Sequence, residues 1–204
     1  MTSDNKKKIK SGNKDRLLHL SLDLYATFYP KYYLVETLLK NRLFQLFKER
    51  LGANWFTLQI NSSDDSNLIK REAEFILQRK PKGFILNEKG FLIEVGLALW
   101  VEFFSKDFYK SVKGLPIQIF PLLPPTIKRK DLYQKLNEVK DLRNQLFHHR
   151  LLPITEPEQL KYLNELGDAN NTLIELLTWL DAPISGLELN EFENKAAEIR
   201  ELLA

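Results

Sequence analysis

The sequence predicts an all-helical protein, and three observations carry that prediction. Glycine and proline are sparse, at 8 and 9 of 204 residues, and Leu, Lys and Glu recur throughout; this composition favours helices over a sandwich or barrel. Apolar residues repeat at three- and four-residue spacing through much of the chain, the period of a helix with one buried face. Several of the prolines and glycines fall between those periodic segments, where they end helices. With 44% hydrophobic and 28% charged residues over 204 positions, the chain can bury one substantial core.

The elements follow in order. Residues 1–14 read as a disordered basic arm carrying Lys6, Lys7, Lys8, Lys10 and Lys14, and residues 15–204 as a single helical domain. A helical pattern starts at Asp15, with Leu17, Leu18, Leu20, Leu24 and Phe28 on one broad face, and Pro30 interrupts it. A long helix is expected from Lys31 to Leu51, stopping at Gly52; apolar residues lie nearly all round it, which marks a central, buried helix. The loop Asn61–Ser66 offers a cap for a helix reaching about Arg79, which Pro81-Lys82-Gly83 ends. Phe91 to Phe104 reads as one apolar helix, and residues 106–127, with Pro116, Pro121, Pro124 and Pro125, as irregular chain. Three more helices are expected: Lys128 to about His149, Glu156 to Leu180, and Leu189 to Leu203.

Composition also excludes function classes. With no cysteine, disulfides, a thiolate nucleophile and a Cys-based zinc site are ruled out. Three histidines without Glu-rich ligand pairs at helical spacing make a metal site an unpromising reading, so neither metal nor cofactor is expected. The first eight residues are charged, with no apolar run behind them. The stretch from Phe91 to Phe104 is too short to span a membrane and carries Glu94 and Glu102. The expectation is a cytoplasmic protein without a membrane partner. Net charge is only +3, but the N-terminal lysines and the cluster Lys128, Arg129, Lys130 could each meet a phosphate backbone. A solvated, disordered tail is the better explanation of the first of these.

The informative segment is the helix from Asp131 to Arg150. At 100° per residue, Leu132, Leu136, Val139, Leu142, Leu146 and Phe147 form an apolar stripe, and Arg143 falls within it. An arginine facing a core needs a partner or a cleft; Glu36, on an apolar flank of the central helix, is the obvious partner. Asp141, Asn144 and His148 lie on a different face, and His149 follows directly. These types suit phosphodiester chemistry. A histidine can take the proton of a ribose 2′-hydroxyl or supply one to the leaving oxygen, an arginine stabilises charge on the phosphorane oxygens, and Asn144 could orient either. RNA brings its own nucleophile. Arg143 and His148 are about 140° apart around the axis, so reaching one phosphate requires a cleft between helices or subunits. A plain alternative remains open: two histidines at a helix C-terminus suit the macrodipole and need no function.

At these residues the chain resembles a known family. Arg143-Asn144-Gln145-Leu146-Phe147-His148 is similar to the HEPN motif, an Arg followed by a polar residue and separated from a His by four to six residues. Extended to Leu142 and His149, the string looks like the Leu-Arg-Asn-x-x-x-His-His segment of Abi-like (abortive infection) proteins. The resemblance continues in the segment Val35 to Leu43, in Leu51-Gly52-Ala53-Asn54-Trp55-Phe56, in Gly96 to Trp100, in Ile119-Phe120-Pro121 and in Leu177-Thr178-Trp179-Leu180. Two departures stand out: Arg150 where the family often has Glu, and Lys40 where it has Arg before Asn41.

The resemblance implies a HEPN-like helical bundle with additional helices, paired as a homodimer whose two motifs face each other across a cleft. It implies a metal-independent endoribonuclease acting in phage defence or as the toxin of a toxin–antitoxin pair. RNA is then the substrate, and an antitoxin or regulatory RNA a further partner. Arg143 and His148 become the catalytic pair supported by Asn144. The RNA-binding set would be His149, Arg150, Lys128, Arg129 and Lys130, with Glu36 and Asn41 as structural support. Two other readings stay open: an RNA-binding protein that holds RNA without cutting it, and a protein-interaction module using the aromatic helices around Trp100, Phe103, Phe104 and Phe108.

Overall fold

The computed structural model describes residues 11–147 and 156–203, and every described element is a helix, turn or loop. The helices are α1 (Ser11–Ala26), α2 (Phe28–Leu51), α3 (Trp55–Ile60), α4 (Leu68–Gln78), α5 (Glu88–Glu94), α6 (Leu97–Glu102), α7 (Lys106–Ser111), α8 (Arg129–Phe147), α9 (Glu156–Trp179) and α10 (Glu191–Leu203), with a 3-10 turn over Leu115–Ile119. No described helix is long and apolar enough to cross a membrane. The chain divides into two compact units.

The first unit contains the described residues up to Val35, Asp141–Thr178 and those from Ala182 onward. Here α1 packs along α10. Leu17, Leu20 and Leu24 of α1 are buried, as are Phe192, Ala196 and Ile199 of α10, both sets at helical spacing. Phe28 meets Phe192 edge to face, ring centroids 5.4 Å apart. On α9, Tyr162, Leu163, Leu166, Leu173, Leu176 and Leu177 are buried in the same three- and four-residue rhythm.

The second unit, Glu36–Lys140 with Trp179–Asp181, is built on aromatic rings. Phe47 lies 4.9 Å from Trp55 and 5.0 Å from Phe103 between centroids. Phe44 meets Trp55, Phe56 and Trp100, and Phe91 meets Phe56 and Trp100. Edge and tilted pairs at these separations add to the area the rings bury. Trp55 and Trp100, quoted above for the family resemblance, are thus core residues of one cluster.

Local chemistry explains where the helices stop and start, and where the sequence reading needs correction. Gly52, at φ 113°, ends α2 as expected, since only glycine enters that region cheaply. Asn67 caps α4 by accepting from the Lys70 N–H at 3.1 Å. Helix α1 begins at Ser11, four residues before the expected Asp15, so Lys14 is helical. Pro30 lies in the first turn of α2, which starts at Phe28; a proline there forfeits no helical hydrogen bond. The single helix expected over Phe91–Phe104 is two, because Val95 and Gly96 are extended, at ψ 133° and 177°. The break turns the apolar run so that Phe91 and Val95 are buried along with Leu97, Leu99, Trp100 and Val101, while Ile93 stays exposed. The stretch expected to be irregular holds α7 and the 3-10 turn.

Candidate functional site

Helix α8 carries Arg143 to Phe147, the described part of the motif. Its first turn holds Asp131, whose Oδ2 accepts from the Lys128 N–H at 2.9 Å, half of a capping box that also puts negative charge at the helix N-terminus. Leu132, Leu136, Val139 and Leu142 are buried, as the stripe requires. Leu146 is half-buried.

Arg143 departs from expectation. The wheel put it in the core-facing stripe, but the side chain is exposed. The stripe narrows towards the end of α8: Leu142 is buried, and the residue 100° further round reaches water. Its Nη1 contacts Asn144 Oδ1 at 3.4 Å, a long contact that biases the guanidinium without fixing it. Asn144 and Asp141 are both exposed, in keeping with their expected face.

Beside Arg143 the first unit has a hollow of about 180 Å³, lined by Tyr25, Phe28, Tyr29, Tyr32, Leu142, Leu146 and Arg143 itself. Phe28, Tyr32 and Leu142 are buried and form its floor. Tyr29, 59% exposed, lies at its rim. Arg143 thus does line a cleft, one of the two conditions set for it by the sequence, although it is not itself buried. The tyrosines were missed, yet their signal was present: positions 25, 29 and 32 follow helical spacing.

His148, His149 and Arg150 lie outside the described residues. Lys128, Arg129 and Lys130 belong to the second unit. Lys128 and Lys130 are exposed. Arg129 is half-buried, donates from Nη1 to the Phe104 carbonyl at 2.5 Å and lies over the Tyr109 ring; its geometry is that of a structural tie. Glu36, half-buried, and Asn41, exposed, also fall in the second unit, whereas Arg143 and Asn144 belong to the first.

A residue the sequence reading passed over is Arg42. Its Nη1 donates to the Leu180 carbonyl and, at 3.5 Å, to that of Ile119. Leu180 follows the last turn of α9, whose carbonyls lack helical partners. A guanidinium there satisfies one and favours the negative end of the dipole. The Trp179 carbonyl is taken by the Leu122 N–H at 3.2 Å. An arginine between Leu39 and Leu43 on a largely apolar helix was the available clue.

Among the described residues, no group of three His, Cys, Asp or Glu side chains could hold a metal ion. The chain matches no protein-family model, no curated protein and no solved structure.

Proposed function

We propose that the chain is a metal-independent endoribonuclease of the HEPN type, acting in phage defence or as the toxin of a toxin–antitoxin pair. The observation that carries this reading is the motif from Arg143 to His148 in its ordered series of matching segments. An exposed Arg143 beside an aromatic hollow supports it, because a guanidinium must reach solvent to meet a phosphate.

In this reading the RNA 2′-hydroxyl attacks the adjacent phosphorus. His148 takes up the hydroxyl proton or protonates the departing 5′-oxygen. Arg143 lies against the non-bridging oxygens, where charge grows as the phosphorane forms, and Asn144 orients the guanidinium. The products are a 2′,3′-cyclic phosphate and a 5′-hydroxyl. Two copies of the chain, pairing their motifs across a cleft, supply both histidines to one phosphate.

The test is incubation of the purified chain with single-stranded RNA in the presence of a chelator. Cleavage lost in both Arg143→Ala and His148→Ala, with a dimer in solution, is the expected result. Cleavage that persists in these variants removes the residues from the reaction. RNA binding without turnover by the unaltered chain turns the assignment into one of RNA holding.

A further inference from the structure

We infer that the aromatic hollow beside Arg143 is a nucleobase subsite, taking one unpaired base of a single-stranded RNA while Arg143 holds the phosphate attached to it. The inference rests on the reading of Arg143 as an RNA-facing residue and adds what that residue's surroundings recognise.

The shape of the hollow selects the ligand. Its floor is apolar and largely aromatic, formed by Phe28, Tyr32 and Leu142, and Tyr25 and Tyr29 add two more rings. Ring faces and an apolar floor suit a flat, weakly polar, π-faced group. At about 180 Å³, the space falls below the roughly 300–1,000 Å³ of sites that enclose drug-sized ligands. It fits a single ring system and not a whole nucleotide. The cation lies on the same wall: Arg143 is exposed and lines the hollow. The ligand that satisfies both features is therefore planar and aromatic, with an anion close to the ring. A nucleotide unit in a strand has that construction, and bases stack on aromatic side chains and arginine planes in single-stranded recognition. A paired base cannot enter, because its faces are covered by its neighbours. An aliphatic acid would suit the floor and the cation but would gain nothing from the ring faces.

The aromatic surface continues beyond the hollow. Tyr29 stacks on Tyr33, centroids 6.3 Å apart and planes 22° from parallel, and both are more than half exposed, at 59% and 56%. Two adjacent tyrosines left in water on one helix offer a platform on which a second base continues the stack.

The experiment uses the full chain and a short single-stranded RNA methylated at its 2′-oxygens, which cannot be cut by 2′-hydroxyl attack. One base in turn is replaced by fluorescent 2-aminopurine or removed. Quenching on binding is expected at one position. Tyr29→Leu is expected to weaken binding about fivefold to a hundredfold, the range of one lost stack, and Tyr29→Phe to restore it. Removing the sensitive base should cost a similar factor in the unaltered chain and little more in Tyr29→Leu. Leu146→Trp, which fills the hollow from its rim, provides a second variant, and circular dichroism verifies the fold of each. Equal binding by Tyr29→Leu and the unaltered chain, or displacement of the RNA by decanoate as readily as by free RNA, would overturn the subsite. Because the probe cannot be cut, this outcome is separable from the nuclease reading. Tyr29-dependent base binding without cleavage of ordinary RNA retains the subsite and removes the nuclease; cleavage without Tyr29 dependence does the reverse.

Discussion

Arg143 and Asn144 are neighbours on α8, and Nη1 of the first meets Oδ1 of the second at 3.4 Å in an exposed setting. The contact is too long and too wet to stabilise the fold appreciably. Its effect is on the direction of the guanidinium. Asn144→Ala is therefore expected to leave thermal stability within about 0.5 kcal/mol, as for other exposed positions. RNA cleavage should fall about tenfold, with the loss in kcat rather than KM if the amide aligns Arg143 only as charge develops. A stability loss matching the activity loss would assign Asn144 to the fold instead.

Neighbouring cations in the basic cluster should behave differently. Lys130 is exposed, while Arg129 is held by the Phe104 carbonyl and the Tyr109 ring. If the cluster meets RNA, Lys130→Ala weakens binding and lowers the slope of log affinity against log salt by about one, without altering stability. Arg129→Ala instead lowers the unfolding free energy by about 1–3 kcal/mol, because a carbonyl loses its charged donor. Equal effects of the two variants on salt dependence would contradict this division.

Arg42 is predicted to be the costlier arginine. Its removal leaves the Leu180 and Ile119 carbonyls without their shared donor. Arg42→Met, which keeps most of the apolar stem, should destabilise the chain by about 1.5–3 kcal/mol. Arg42→Lys should recover little, since one ammonium does not reproduce a planar fork. Denaturant unfolding of the three proteins measures this directly.

Lys31 gives the molecule a pH dependence. The residue is 2% exposed. Burial pushes its ammonium below the ordinary lysine range, and the carboxylate of Glu191 offsets part of that shift. The folded chain thus holds this proton less tightly than the unfolded chain, and unfolding takes one up between the two values. Stability rises with pH through that window: the burial penalty is fully present below the folded value and gone above the unfolded one. Lys31→Met should flatten this alkaline rise and prove neutral to stabilising by about 1 kcal/mol near neutral pH. Unfolding midpoints across neutral and alkaline pH test it, and a variant with an unchanged alkaline rise would contradict it.

What was legible in the sequence had local causes. Helix α9 runs over Glu156–Trp179 and α10 over Glu191–Leu203, within two residues of expectation, because their ends are set by nearby breakers and by periodic leucines. Gly52 announced the end of α2 in the same way. The division between α5 and α6 had a mark in Gly96, but a single glycine inside a continuous apolar run is a weak breaker, and the break serves burial on several sides at once. Arg143 shows the limit of a helical wheel, which gives an angle but not what covers that angle. The Arg42 contacts span 77 and 138 residues, and the hollow joins tyrosines of α1 and α2 to α8, over a hundred residues later. No local pattern encodes either. The motif was legible as residue types, and its setting only as geometry.

The central claim is that Arg143 and His148 cut RNA through its own 2′-hydroxyl. The most direct measurement is end-group analysis of RNA treated with the purified chain in chelator, beside the same strand carrying 2′-deoxyribose at the cleaved position. The account predicts a 2′,3′-cyclic phosphate and a 5′-hydroxyl from the first strand, no cleavage of the second, and no products from His148→Ala. A 5′-phosphate product, or cleavage of the 2′-deoxy strand by the unaltered chain, would contradict it.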